Sequence, residues 1–304
     1  MASFVVMVPV LAATTPGHQL LAGPLVAQRT VPYGLSAPKA GLGVLRQRSQ
    51  NGRAGHAIRG KLTAGPDVQL NDAGLATALK PVVGTDPGQL GVGVVDLTTG
   101  ASATYQSDAP IRDGGLVTAN ILAALLLRHQ QTGTRLSGRV AELAASMMDG
   151  DSTATSQLWA LVGGAPGLAA ANVTLKLRDT NPMAVGGGSW EWTQTTVADQ
   201  LQLLADLAGP RSPLRSAYQD YALGLMEGAT AHRWDVLAAA STGTPAAVAD
   251  GSLVGPRWVI GSIGVIQRHG HELLVAVLSD RNPVQGPAAT AARAAALAAA
   301  ALVS

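Results

Sequence analysis

A chain of 304 residues that is 47% hydrophobic and 13% charged is long enough to bury one large core or two modest ones. Its net charge of +2, 3% aromatic content and single Phe supply neither a basic face nor a stacking platform for nucleic acid. The absence of cysteine excludes disulfides, thiolate metal sites, a cysteine nucleophile and a lipidated cysteine.

Residues 4–13 (FVVMVPVLAA) form an apolar run too short to span a bilayer, so no stable membrane span is expected. The run is like a signal-peptide core, although no Lys or Arg precedes it. Export, to the extracellular space or cell envelope, is the expectation, with a cytoplasmic protein as the alternative. From 14 to 66 the chain is rich in Gly, Pro, Ala and Arg without a sustained period. Arg46, Arg48, Arg53, Arg59 and Lys61 make it mildly basic. Residues 1–66 therefore read as a signal segment and flexible linker, and 67–304 as the folded domain.

Order is expected from about Val68. Asn71 is placed to cap a helix ending at Leu79, with Pro81 as its stop. Residues 91–97 (GVGVVDL) read as a buried strand, 98–100 as a turn and 101–106 as the return strand. Gly91 and Gly93 lie inside the strand with no helix after them, so they are not a dinucleotide loop. A helix over 120–131 is apolar on nearly every side until Arg128, the pattern of a buried helix. A second helix spans 140–148 and closes at Asp149-Gly150. A third starts at Asp151 or Ser152, turns Leu158, Trp159 and Leu161 inward and ends at Gly163-Gly164. Pro166 suits the first turn of a short helix to Ala171. Gly186-Gly187-Gly188 marks a loop. Thr196 to Asp199 resembles a capping box, with Asp in place of Glu, opening a helix through Leu207. Another helix fits 217–226. Strands follow over 246–250, 257–267 and 272–279, with His269-Gly270-His271 as the tight turn, and an Ala-rich helix runs from Gly286. Two strands, a helical block, three strands and a terminal helix make an α+β fold, with an antiparallel sheet flanked by helices and a helical subdomain over about 115–235.

Several stretches carry a resemblance beyond this order. Residues 121–126 (ILAALL) follow Gly115 and Thr118 in a buried helix. Met147-Met148 and Leu158-Trp159 flank Gly150-Asp151-Ser152. Thr195-Thr196 opens the helix to Leu204, and Arg233-Trp234, Ser262-Ile263-Gly264-Val265 and Ser279-Asp280-Arg281-Asn282-Pro283 frame the last strands. Together these resemble class A β-lactamase-like proteins of the penicillin-binding serine hydrolase superfamily, over roughly 68–304. The resemblance implies a sheet with an all-helical subdomain and a groove between them.

It also implies chemistry that the residues do not supply. The family's Ser-x-x-Lys pair falls on Gly115 and Thr118. Positions i and i+3 share a helix face, which is how the amine would take the serine proton. The Ser-Asp-Asn loop falls on Gly150-Asp151-Ser152, keeping Asp151 and losing the serine. The Lys-Thr-Gly strand falls on Ala249-Asp250-Gly251, or alternatively on Ser241-Thr242-Gly243. No equivalent of the Ω-loop glutamate is found, because Glu191 lies too close to the next helix. Loss of a hydrolase nucleophile or its base costs about a million-fold in rate. The amide of Gly115 could still serve an oxyanion hole.

The expectation is therefore a degenerate member, a pseudoenzyme without catalytic residues, cofactor or metal. It would bind a small molecule or peptide-like ligand in a vestigial groove, and would be monomeric. Groove candidates are Gly115, Thr118, Asp151, Ser152, Asp250, Gly251 and Trp190. With lysines absent and Asp151 and Asp250 present, the groove should be neutral to acidic and should repel a carboxylate. The alternatives are a serine hydrolase of β-lactamase or D-Ala-D-Ala peptidase type with relocated residues (Ser152, Ser189 or Ser241) and a structural or regulatory module. His269 and His271 read as a solvated hairpin tip, His232 as a surface or domain-junction residue, and Trp190 and Trp192 as strand-like packing or a loop over the groove.

Overall fold

The computed structural model describes residues 70–83, 89–182, 188–229, 236–253, 257–283 and 285–303. The run at 4–13, the basic lead-in to residue 66, Val68, Gly186, Gly187, His232, Arg233 and Trp234 lie outside the described residues.

Helix α1 (Asp72–Val83) buries Leu75, Leu79 and Val82. The Asn71 side chain caps it by accepting the Gly74 N–H at 2.9 Å. It runs past the stop expected at Pro81, because a proline in the last turn costs one backbone bond without breaking a turn that follows. Strands β1 (Gln89–Asp96) and β2 (Ser102–Tyr105) form the expected hairpin. Short strand β3 (Ile111–Arg112) leads into the helical block: α2 (Val117–Thr132), α3 (Gly138–Met148), α4 (Ser152–Val162) and α5 (Gly164–Leu175). A 3-10 turn at Trp190–Trp192 and strand β4 (Gln194–Thr195) precede α6 (Val197–Ala208) and α7 (Ser216–Gly228). Strands β5 (Ala246–Leu253), β6 (Trp258–Arg268) and β7 (His271–Asn282) and helix α8 (Gln285–Ala301) complete the fold.

The main sheet is antiparallel in the order β2-β1-β7-β6-β5, so the first and last thirds of the chain share it. Side chains alternate across it. Val92, Val94, Val275 and Val277 pack with α1 and α8, whereas Leu274, Ala276, Leu278 and Ile263 pack with the helical block. On the block's face, β1 presents Gly91 and Gly93. A Cβ on Gly93 would fall 2.6 Å from Leu201 Cδ1, and one on Gly91 would fall 2.8 Å from Val197 Cγ2. These strand glycines let α6 lie directly on the sheet.

Local chemistry was misjudged at five places. Helix α2 starts at Val117, not Asn120, so Thr118 sits in its first turn. Leu161 is 41% exposed, and Val162 takes the inward position on α4. The 3-10 turn at Trp190–Trp192 replaces the strand-like alternation. At the start of α6, Thr196 Oγ1 accepts the Asp199 N–H at 3.1 Å, which is half of a capping box. The Asp199 carboxylate instead takes the amides of Arg178 (3.1 Å) and Asp179 (2.8 Å) and the Thr180 hydroxyl (2.7 Å). Finally, the turn after β6 is the two residues His269 and Gly270, at φ 50° and 86°, and His271 is not a solvated tip. Its Nδ1 lies 2.8 Å from Asp96 Oδ2, and Asp96 also takes the Thr98 amide and the Thr99 hydroxyl. Burial alone would raise the Asp96 carboxyl, but Thr99, Thr98 and His271 together hold it below its usual range.

Candidate functional site

The groove forms where the chain leaves β3 and enters α2 beside β5. Gly114 and Gly115 turn at φ 67° and 103°, left-handed backbone that favours glycine. The turn rests on the sheet through backbone contacts. Gly251 and Gly261 are cross-strand partners in β5 and β6. A Cβ on Gly251 would collide with the Gly114 carbonyl oxygen and sit 2.9 Å from the carbonyl carbons of Gly114 and Gly115. One on Gly261 would meet Leu116 Cδ1 at 2.5 Å and Asp113 O at 2.9 Å. Backbone cannot swing aside as a side chain can. Gly251→Ala is therefore expected to destabilise by about 2–4 kcal/mol through overpacking. Gly224→Ala, in an exposed turn of α7 with open space around it, should stabilise by about 0.5–1 kcal/mol. Urea denaturation of both variants checks the pair.

The cavity is about 150 Å³. Gly114, Gly115 and Thr118 line it from the head of α2, and Met147, Met148 and Gly150 from the end of α3. Ser152 and Thr155 contribute from α4, Trp190 from the 3-10 turn, and Val248 to Ser252 from β5. The three sequence segments read as motif positions thus face one space, and Gly115, Thr118, Ser152, Trp190, Asp250 and Gly251 all border it. Asp151 does not. Its carboxylate is the N-cap of α4, accepting the amides of Thr153 (2.7 Å) and Ala154 (3.1 Å). Ser189 and the Ser241-Thr242-Gly243 alternative also lie off the lining, the latter beside the β6–β7 turn, where Ser241 Oγ accepts the His269 amide.

Among the described lining residues there is no Lys, Arg or His, and Asp250 is the single charged side chain. Asp250 Oδ1 accepts the hydroxyl of the fully buried Ser262, whose oxygen accepts the Val236 amide at 3.1 Å. The Thr118 hydroxyl donates to Gly115 O at 3.2 Å, closing the first turn of α2. No group of three or more His, Cys, Asp or Glu poised for a metal occurs among the described residues.

Sequence reasoning missed Asp113. It is 1% exposed, and its Oδ1 accepts the Gly115 N–H at 2.9 Å. The amide expected to be free for an oxyanion hole is thus already engaged by an internal carboxylate. The other oxygen, Oδ2, is buried without a full hydrogen bond among the described residues. Burial pushes the carboxyl up to about 7 against the pull of the Gly115 amide, the Arg112 charge and the Val117 amide. An acidic residue directly before a glycine pair is the signal that could have found it. Thr155 and Ser252 were also missed. Ser252 follows Asp250 by the two-residue strand period, which would have placed it.

The remaining wall is held by its aromatic side chains. Trp159 Nε1 donates to Gly188 O at 3.1 Å, and Trp190 Nε1 donates to Ser156 Oγ at 3.2 Å. The Arg112 guanidinium stacks 4.7 Å from the centre of the Trp192 ring. These contacts tie the segment carrying Trp190 to both α4 and β3.

No protein-family model matches the chain, and no curated protein matches it. Solved structures do. A β-lactamase from Xanthomonas campestris pv. campestris is 19% identical, with a TM-score of 0.66 over 76% of this chain and 97% of its own. A β-lactamase from Desulfarculus baarsii is 20% identical, with a TM-score of 0.65 over 78% and 98%. The class A β-lactamase from Mycobacterium abscessus is 17% identical, with a TM-score of 0.62 over 74% and 97%. Such identities speak for architecture alone, and nearly the whole length of each enzyme is matched: the chain has the class A β-lactamase fold.

Proposed function

We propose that this chain is a non-catalytic protein of β-lactamase-like fold that binds a small ligand in the groove between β5 and the helical block. The observation that carries the reading is the head of α2. Gly115 offers no nucleophile, its φ of 103° disfavours any side chain, and its amide is spent on Asp113. A relocated serine such as Ser152 would need a base, and the described lining offers only a carboxylate already accepting a hydroxyl. The cavity itself persists, bordered by hydroxyls, two methionines and a tryptophan, which is the mixed lining of a binding site.

Two measurements test this. Intact-mass analysis after incubation with a fluorescent penicillin is expected to show unmodified protein, and a covalent adduct would overturn the loss of catalysis. A ligand-observed NMR screen of small polar fragments is expected to give binders that compete with one another and are lost in Ser152→Trp, a substitution that fills the groove from an exposed position. Binders indifferent to that substitution would move the function elsewhere on the surface.

A further inference from the structure

The lining is specific enough to name a ligand class, an inference that rests on the groove being a binding site. Three observations converge. The first is Trp190, which borders the cavity and whose Nε1 donates to Ser156 Oγ, a bond that restrains the indole. A restrained aromatic face with a negative quadrupole suits the polarised C–H face of a saturated ring. The second is a set of hydroxyl-bearing lining residues, Thr118, Ser152, Thr155 and Ser252, in which the hydroxyls of Thr118 and Thr155 are donated to Gly115 O and Asp151 O. Those of Ser152 and Ser252 make no hydrogen bond among the described residues, so an apolar ligand would strip their water without return. Leaving such groups unpaired carries a desolvation penalty that a hydroxyl-bearing ligand avoids. The third is charge. The described lining has one carboxylate and no cation, which disfavours an anionic ligand.

Size narrows the class further. A cavity of about 150 Å³ is well below the ~300–1,000 Å³ typical of drug-sized ligands. It holds one ring, not an extended chain. We propose that the groove binds a single neutral or amine-bearing pyranose ring, stacked on Trp190 and hydrogen-bonded through its hydroxyls to Ser152 and Ser252.

The test is a ligand-observed NMR titration of the full chain with glucose, glucosamine, cellobiose and glucuronate. Glucose and glucosamine are expected to bind and glucuronate at least tenfold more weakly. Cellobiose binding as well as glucose identifies the source as a glycan end, and its exclusion identifies a free sugar. Trp190→Ala should weaken sugar binding at least tenfold, Trp190→Phe should retain most of it, and Ser252→Ala should weaken it severalfold with the fold intact. Glucuronate binding as tightly as glucose, or sugar binding unaffected by both Trp190→Ala and Ser252→Ala, overturns the proposal. Fragments that occupy the groove while no sugar does overturn the sugar class and leave the binding reading standing. No groove binder of any kind removes both.

Discussion

Between pH 4 and pH 8 the parent protein is expected to lose about 4 kcal/mol of stability that Asp113→Asn does not lose. Asp113 is fully buried, and its carboxyl rises from 3.8 to about 7 in the fold, chiefly through desolvation. Below pH 3.8 the group is protonated in both states and the full contribution is present. As pH rises toward 7 the unfolded chain releases the proton while the fold retains it, so each unit of pH costs the fold about 1.36 kcal/mol. Above 7 both states are ionised and the loss is complete. An amide at the same position can still accept the Gly115 N–H but does not titrate. The measurement is urea denaturation of both proteins at half-unit pH steps. Asp280, whose carboxyl burial also raises, is present in both proteins, so the difference between the two curves isolates Asp113. Parallel curves would mean that the carboxyl is solvated and that Gly115 is not locked to a buried acid.

Asp199→Ala is expected to destabilise the fold by about 4 kcal/mol and to loosen the wall that carries Trp190. Asp199 is 5% exposed and accepts three hydrogen bonds from Arg178 N, Asp179 N and Thr180 Oγ1. Hydrogen bonds to a charged group contribute about 1.5–3 kcal/mol each, and truncation leaves the part-buried amides of Arg178 and Asp179 without their acceptor. Thr180 keeps its contact with Thr195, so the three costs do not simply add. The segment between α5 and α6 then has fewer ties to the block, among them Asn172 to Thr180 O and the Asn181–Gln194 bridge. Asp199→Asn keeps one acceptor and should cost about half as much. Hydrogen exchange separates a local from a global effect. Amides 178–180 should lose protection ahead of those in β7, and uniform loss along the chain would show that Asp199 serves the core rather than this segment.

The element order was legible in the sequence because it rests on periodicity. Val92 and Val94 facing one way and Gly91 and Gly93 the other mark a strand, and the apolar run through Ile121 to Leu127 marks a helix wrapped in protein. That Gly115, Thr118, Gly150 and Ala249 offer no amine and a single hydroxyl was legible for a simpler reason: it concerns the residues' own atoms and is visible without coordinates. Partner choice was not legible. Asp151 and Asp199 each precede or open a helix, yet one spends its carboxylate on its own helix and the other on a segment 20 residues away. Nothing local distinguishes them. His271 looked solvated because its partner, Asp96, is 175 residues distant.

The sequence by itself determined the alternation of strands and helices and the lack of a side chain at Gly115, since both follow from the period and chemistry of neighbouring residues. Tertiary structure alone decided that Gly114, Gly115, Gly251 and Gly261 meet backbone to backbone, that the Gly115 amide is turned onto Asp113, and that Trp190 and Ser252 border one cavity. The physical reason is that desolvation and hydrogen-bond satisfaction are properties of a packed volume. The same carboxylate is an exposed cap at Asp151 and a buried acid at Asp113, according to what the rest of the chain places over it.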